Sequence, residues 1–216
     1  METWLALAAA PPGRIVILNG VSRSGKSTLA KAIQDAVPGV WMNLGMDSHK
    51  ACTPDRLQPG IGLRPGGHQT APEIEEYVPV LFAGLYESVP AHSRLGLDVV
   101  MDVNHHERCS VPRGILADCA RRLDGLPVLF VGVRCPVETI WTRRQETWGQ
   151  SPETADASVR AAVELAQEAT HAHGCYDLEV DTSTVSPEEG AALIGERLAE
   201  EPRGVVFPTL AAGGGL

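Results

Sequence analysis

The chain has 216 residues, of which 44% are hydrophobic; that suffices for one sizeable α/β core, which favours a single domain, and its formal net charge is −9. Such a charge repels polyanions at long range, which excludes general affinity for nucleic acid or an anionic membrane surface and requires any positive site to be local. Five cysteines (Cys52, Cys109, Cys119, Cys135, Cys175) without a Cys-x-x-Cys pair exclude a disulfide framework and a zinc site and fit a reducing, cytoplasmic setting.

Residues 1–13 are apolar around Leu5, carry Glu2 where a secretory signal needs basic residues, and end in Pro11-Pro12, so they read as a short arm. From there short β-branched runs alternate with helical patterns, the mark of a parallel sheet covered on both faces. Strands are predicted at 14–18, 40–44, 97–102, 128–133 and 178–181, and helices at 26–36, within 71–95, and at 112–122, 136–146, 153–170 and 187–199, the last opened by a capping Ser186 before Pro187. Residues 53–70, with three prolines and four glycines, have no period and are expected to be a loop or small hairpin covering the substrate. Residues 201–216 end in Gly-Gly-Gly-Leu and are expected to be a poorly ordered tail, leaving 14–200 as one domain with a lid at 143–152. The fold class is therefore α/β: a five-stranded parallel sheet with helices on both faces and a lid. No apolar run approaches the length that crosses a bilayer.

Between the first strand and first helix stand Gly20, Val21, Ser22, Arg23, Ser24, Gly25, Lys26, Ser27 and Thr28. The glycines let successive backbone N–H groups turn inward, the helix adds its positive end, Lys26 is placed to reach the outer phosphates of ATP, and Ser27 to hold Mg²⁺. In an open parallel sheet ligands lie beyond the carboxyl ends of the strands. Asp47, after the second strand, can there accept the proton of an attacking hydroxyl, or it can cap the next helix; Gly45 beside it would let a substrate approach the backbone. Asp102 ends the third strand as a candidate for the magnesium shell, or merely as a strand-ending acid. Adjacent side chains diverge, so His105 and His106 do not make a metal site and are expected to meet the acceptor or solvent. Arg134, Arg143 and Arg144 form a cluster suited to the charge that phosphoryl transfer leaves on oxygen, although helix-surface arginines are common. Trp148 can stack on adenine or pack at a helix end, with packing preferred, and Asp181 can cap a turn with Thr182 and Ser183.

The chain resembles the chloramphenicol phosphotransferase family of P-loop kinases in Ile17-Leu18-Asn19-Gly20, Ser24-Gly25-Lys26-Ser27, Trp41, Gly45-Met46-Asp47-Ser48, Asp102-Val103, Gly132-Val133-Arg134-Cys135 and Tyr176-Asp177-Leu178-Glu179-Val180-Asp181-Thr182. The resemblance implies transfer of the γ-phosphate of MgATP to a hydroxyl of an antibiotic, conferring resistance in a bacterial cytoplasm. It implies Asp47 as general base, Lys26 and Ser27 as phosphate and magnesium residues, and Arg134 with Arg143 or Arg144 as lid arginines. Two stretches depart from the family pattern: the uncharged Thr147-Trp148-Gly149-Gln150 and the acceptor side, 58–77. A metabolite or nucleoside kinase of similar build is the alternative, but only Arg56 and Arg64 there could read an anionic acceptor, which favours an uncharged one. A nucleotide-binding regulator is a third reading, against which a base at Asp47 speaks. Assembly into a homo-oligomer is left open by the sequence.

Overall fold

Five residues with no polar face to offer solvent can only make a central strand, and β1 (Ile15–Asn19) is buried along its whole length. The computed structural model describes residues 11–69 and 71–213, so the predicted arm lies outside the described residues except for 11–13. After β1 come α1 (Lys26–Ala36), β2 (Trp41–Asn43), α2 (Met46–Ala51), α3 (Pro72–Glu75), α4 (Val78–Ser93), β3 (Asp98–Val103), α5 (Ile115–Arg122) and β4 (Val128–Arg134). The remaining elements are α6 (Val137–Trp148), α7 (Ala157–His171), β5 (Leu178–Asp181), α8 (Pro187–Glu200) and α9 (Val206–Ala211). All pairings are parallel and the strand order is β2-β3-β1-β4-β5. The sheet is the expected five-stranded parallel one, and its order puts the loop after β1 at the centre of the carboxyl rim, between the ends of β3 and β4.

Side chains alternate between two buried faces. Ile15, Ile17, Met101 and Phe130 pack under α4, α5 and α9, while Val16, Leu18, Val100, Val131 and Val180 pack against α1 and α8. A third cluster stands above the rim, where Val21 meets Cys135, Ile140, Trp141, Ala155 and Val163, so the lid helices α6 and α7 rest on the glycine-rich loop itself.

Most departures from the sequence expectation are at element ends. The helix predicted from 112 begins at Ile115 because Gly114 precedes it in the left-handed region, φ 59°. The 71–95 stretch is two helices, and residues 53–69 are three single turns of 3₁₀ helix (Asp55–Leu57, Gly60–Gly62, Gly67–Gln69) rather than a hairpin, with Leu57 and Ile61 buried beneath them. The expected capping of α8 is present in full: Ser186 Oγ accepts from the Glu189 N–H while Glu189 reaches back to the Ser186 N–H. The tail expectation is corrected. Val206, Phe207 and Leu210 lie on one face of α9 and are buried, Phe207 between the rings of Tyr86 and Phe130, and the Asp177 carboxylate accepts from the N–H groups of Val205 and Val206. Burial of these three side chains, with the two hydrogen bonds to Asp177, offsets part of the ordering cost of so short a helix. All five cysteines are free, and among the described residues no helix is long and apolar enough to cross a membrane.

Candidate active site

The loop after β1 turns on two left-handed residues, Arg23 (φ 68°) and Gly25 (φ 92°). Gly20 has no room for a side chain: a Cβ there would lie 2.6 Å from the Val133 carbonyl oxygen and 2.8 Å from Ser24 Oγ. At the far side, Thr182 Oγ1 donates to the Ser24 carbonyl at 2.6 Å, tying the loop to the end of β5. Lys26 folds back so that Nζ donates to the Val21 carbonyl at 2.8 Å, spanning the loop's own concavity. Burial lowers the pKa of this ammonium to about 8, against the upward pull of Asp102 and Asp47. Ser24 Oγ is buried without a hydrogen-bond partner among the described residues. A desolvated ammonium resting on a carbonyl, an orphaned hydroxyl and a left-handed turn fit an incoming polyphosphate.

Asp102 sits one strand away. Its Oδ2 accepts from Ser27 Oγ at 2.5 Å, which brings together the two residues expected at the metal. Its Oδ1 presses on Gly45, where a Cβ would come within 1.8 Å. The glycine therefore makes room for this carboxylate, which corrects the expectation that it admits substrate. Asp47 is the second residue of α2; Gly45 is the N-cap and no side chain caps the helix, so the alternative role for Asp47 falls away. Its carboxylate is 89% exposed on the rim, with only Lys50 Nζ nearby at 3.7 Å, and close enough to Lys26 to raise that ammonium's pKa.

The three arginines separate. Arg134 is not brought to the loop: β4 and β5 place it on the same face as Glu179, whose Oε1 accepts from its Nε at 3.0 Å and Nη2 at 2.6 Å, and it lies over the Tyr176 ring. Arg143 reaches the loop but its donors are already taken, Nη1 by the Arg23 carbonyl at 3.1 Å and Thr182 Oγ1 at 3.1 Å and Nη2 by the Thr182 carbonyl at 2.7 Å. Arg144 is buried, bonded to Gln150 and stacked by Trp141 and Trp148, with Nε left without a partner. Burial and the nearby charges of Arg64 and Arg23 depress its pKa. Trp148 is half exposed, and its ring carries the Arg23 guanidinium at 3.9 Å, so it packs on cations rather than into a core. The turn after β5 is as expected, with Asp181 Oδ1 accepting from Ser183 N and Oγ at 2.8 and 2.6 Å.

Further residues build the site beneath and beside the loop in roles the sequence did not specify. Asn19, fully buried just before the loop, accepts from the His105 N–H at 2.7 Å and donates to the Thr170 carbonyl at 3.2 Å and to the Tyr176 hydroxyl at 2.9 Å. His105 is buried, bonded to the Tyr86 hydroxyl at 2.7 Å and stacked on Phe82, and burial pushes its pKa down to about 3, so it is a neutral packing group and does not meet solvent. His106 instead bonds the Leu63 carbonyl at 3.1 Å and ties the 53–69 segment to the rim. Between them opens a cavity walled by Ile61, Leu63, Val78, Phe82 and Ile115, with Asn104, Arg64 and Glu75 at its polar side. Glu75 is buried, its charge met by the Ser110 N–H at 2.6 Å and Arg113 at 3.7 Å.

The depressed Lys26 pKa gives a prediction with a definite sign. The ammonium is charged below about pH 8 and neutral above it, so the Kd for MgATP is expected to rise on alkalinisation, approaching tenfold per pH unit beyond that point. Calorimetric titrations at several pH values between neutrality and pH ~9.5 check this, and a constant Kd over that span rules out a phosphate-binding ammonium that loses its proton near pH 8.

The sequence model of the family described as chloramphenicol phosphotransferase-like protein matches residues 13–199. A Mycobacterium tuberculosis protein provisionally named as the O-phosphotransferase Rv2636 is 28% identical over 217 residues, covering 95% of this chain and 91% of that one. Among solved structures, shikimate kinase from Acinetobacter baumannii superposes with a TM-score of 0.56 at 11% identity, covering 91% of this chain and 97% of that one. The APS kinase CysC of Mycobacterium tuberculosis gives 0.53 at 18% identity, covering 88% and 99%. These two share the fold, a P-loop kinase sheet. With the family's sequence pattern running from the start of β1 to the end of α8, the chain belongs to the chloramphenicol phosphotransferase-like family of P-loop phosphotransferases.

Proposed function

We propose that the protein transfers the γ-phosphate of MgATP to a hydroxyl of a small-molecule antibiotic of the chloramphenicol kind, acting in the cytoplasm and conferring resistance. The observation that carries this reading is the grouping of Lys26, Asp102 and Asp47: both carboxylates act on one desolvated ammonium, from the ends of β3 and β2 on either side of the glycine-rich loop. Bound MgATP supplies the phosphoryl group, and its metal neutralises charge on the outer phosphate oxygens. Ser27 Oγ and Asp102 would hold that metal, and Lys26 would leave the Val21 carbonyl to bind the outer phosphates. Asp47, exposed on the rim with Lys50 Nζ at 3.7 Å, takes the proton from the acceptor hydroxyl. The 53–69 segment and the lid helices keep water from the loop. The charge of Glu75 is already taken by Arg113 and Ser110, so no cationic group of the acceptor is called for there. Chloramphenicol is named from the family description.

The test is to incubate the protein with MgATP and a panel of antibiotics and small hydroxylated metabolites and to look by mass spectrometry for a product heavier by one phosphoryl group. A phosphorylated antibiotic is the expected result. Phosphorylation of a metabolite alone overturns the antibiotic assignment, and ATP binding with no product from any alcohol overturns transfer.

A further inference from the structure

The lid helix α6 meets the glycine-rich loop through one face. Trp141, Arg144 and Trp148 are three and four residues apart, the spacing that brings side chains together along a helix, and they alternate ring, cation, ring. The Arg144 guanidinium lies 5.1 Å from the centre of the Trp141 ring and 5.0 Å from that of Trp148. Arg23 of the loop completes the stack, its guanidinium 3.9 Å from the Trp148 ring. At the other end Trp141 is buried in the cluster that holds Val21. The face therefore grips the loop at both Val21 and Arg23. A third hold comes from the same helix, since Arg143 Nη1 donates to the Arg23 carbonyl at 3.1 Å. Gly149, left-handed at φ 64°, ends α6 directly after Trp148, so the ring is the helix's last side chain.

Arg23 is where such a hold matters. It is the one described residue other than glycine with φ in the left-handed region, 68°, where a side chain is strained. With Gly25 at φ 92° it makes the turn that points the loop's N–H groups inward for a phosphate. An arginine released from its contacts favours the ordinary right-handed or extended backbone, and a loop relaxed in that way no longer presents its donors together. Trp148 is half exposed, so burial alone does not account for a ring at this position, whereas its contact with the strained residue does.

We propose that Trp148 is a positioning residue for the nucleotide: by stacking on Arg23 it holds the left-handed turn of the glycine-rich loop in the shape that receives the phosphates. This rests on the nucleotide binding of the reading given above and not on the acceptor. In this role the ring touches no part of the nucleotide. It raises affinity by raising the share of molecules in which the turn is already formed, a share by which the intrinsic affinity is otherwise reduced. Lid and loop are thereby coupled, because a displaced α6 releases Arg23 from the ring and from Arg143 together.

The test is calorimetric titration of the full chain and its variants with MgADP, and it needs no acceptor. Trp148→Leu is expected to weaken MgADP about three- to tenfold, as a strained residue loses its stack, and Trp148→Phe to stay within about twofold, because a ring still meets the cation. Glycine enters the left-handed region freely, so Arg23→Gly is expected to bind MgADP about threefold or more tightly than Arg23→Ala. The deciding measurement is Trp148→Leu in the Arg23→Gly background, where the ring has nothing to hold and its removal should change affinity by less than about twofold. The two Arg23 variants leave the lid untouched, so they read the turn independently of how well Trp148→Leu folds. An equal loss from Trp148→Leu in both backgrounds overturns the assignment, since the ring would then act on the nucleotide itself. Arg23→Gly binding no more tightly than Arg23→Ala overturns it too. A wild-type chain that does not bind MgADP overturns the nucleotide reading, and the Trp148 assignment with it.

Discussion

Lys26→Ala is expected to reduce phosphoryl transfer by about 10³-fold or more while leaving the protein folded. The two halves of that statement have one cause. Burial has already lowered the ammonium's pKa to about 8, so the free fold disfavours the charged lysine it carries. A lysine whose folded pKa lies below its unfolded value costs stability fully below about pH 8, and the cost is relieved as pH rises from there to the unfolded value near 10.5. Removing the side chain at neutral pH therefore removes a cost, together with one hydrogen bond to the Val21 carbonyl. What the variant loses appears only with substrate: the cation that offsets charge on the outer phosphates. Thermal unfolding and steady-state turnover, measured on one preparation, check both halves. Turnover within about tenfold of wild type would show that another cation holds those phosphates, and a collapse in melting temperature would show that the lysine supports the loop rather than the ligand.

The loop was legible because everything that makes it is local: an apolar strand, two glycines and a helix within fifteen or so residues, each with its own physical reason. The strand positions were legible for the same reason, since fully buried strands read as unbroken apolar runs. Arg134 shows where this stops. Its place at the end of a strand was read correctly, but which way it faces is set by the pairing of β4 with β5, and that register puts Glu179 beside it. Gly132 contributes, since only without a Cβ can the Tyr176 ring lie on the strand beneath the guanidinium. The polar web below the loop was out of reach, because Asn19 and Tyr176 are 157 residues apart and the pieces that contain them say nothing of each other's side chains. The C-terminal helix was missed for another reason: Val206, Phe207 and Leu210 carry a helical spacing, but over so few residues that the glycines around them dominated the composition.

The second large effect is expected at Asp47. Asp47→Asn should bind MgATP as wild type does and transfer the phosphoryl group about 10²–10⁴-fold more slowly, because the amide keeps the shape of the carboxylate but cannot take a proton. Little stability is at stake, since the group is 89% exposed and its ion pair is with Lys50 at 3.7 Å, a surface pair of the kind worth ~0–1 kcal/mol. A general base is not the only role that predicts slower transfer; a carboxylate that merely tunes Lys26 would do so through nucleotide binding. The two are separable by pH. Asp47 raises the Lys26 pKa, so its neutralisation should move the pH at which MgATP affinity begins to fall to a lower value, an effect visible without any acceptor. At pH ~7, below that fall, a base role leaves MgATP affinity intact and lowers kcat with the true acceptor, whereas a tuning role lowers affinity and kcat together. Undiminished transfer in the variant removes Asp47 from the reaction, and with it the main ground for reading the rim between β2 and β3 as the place where the alcohol is activated.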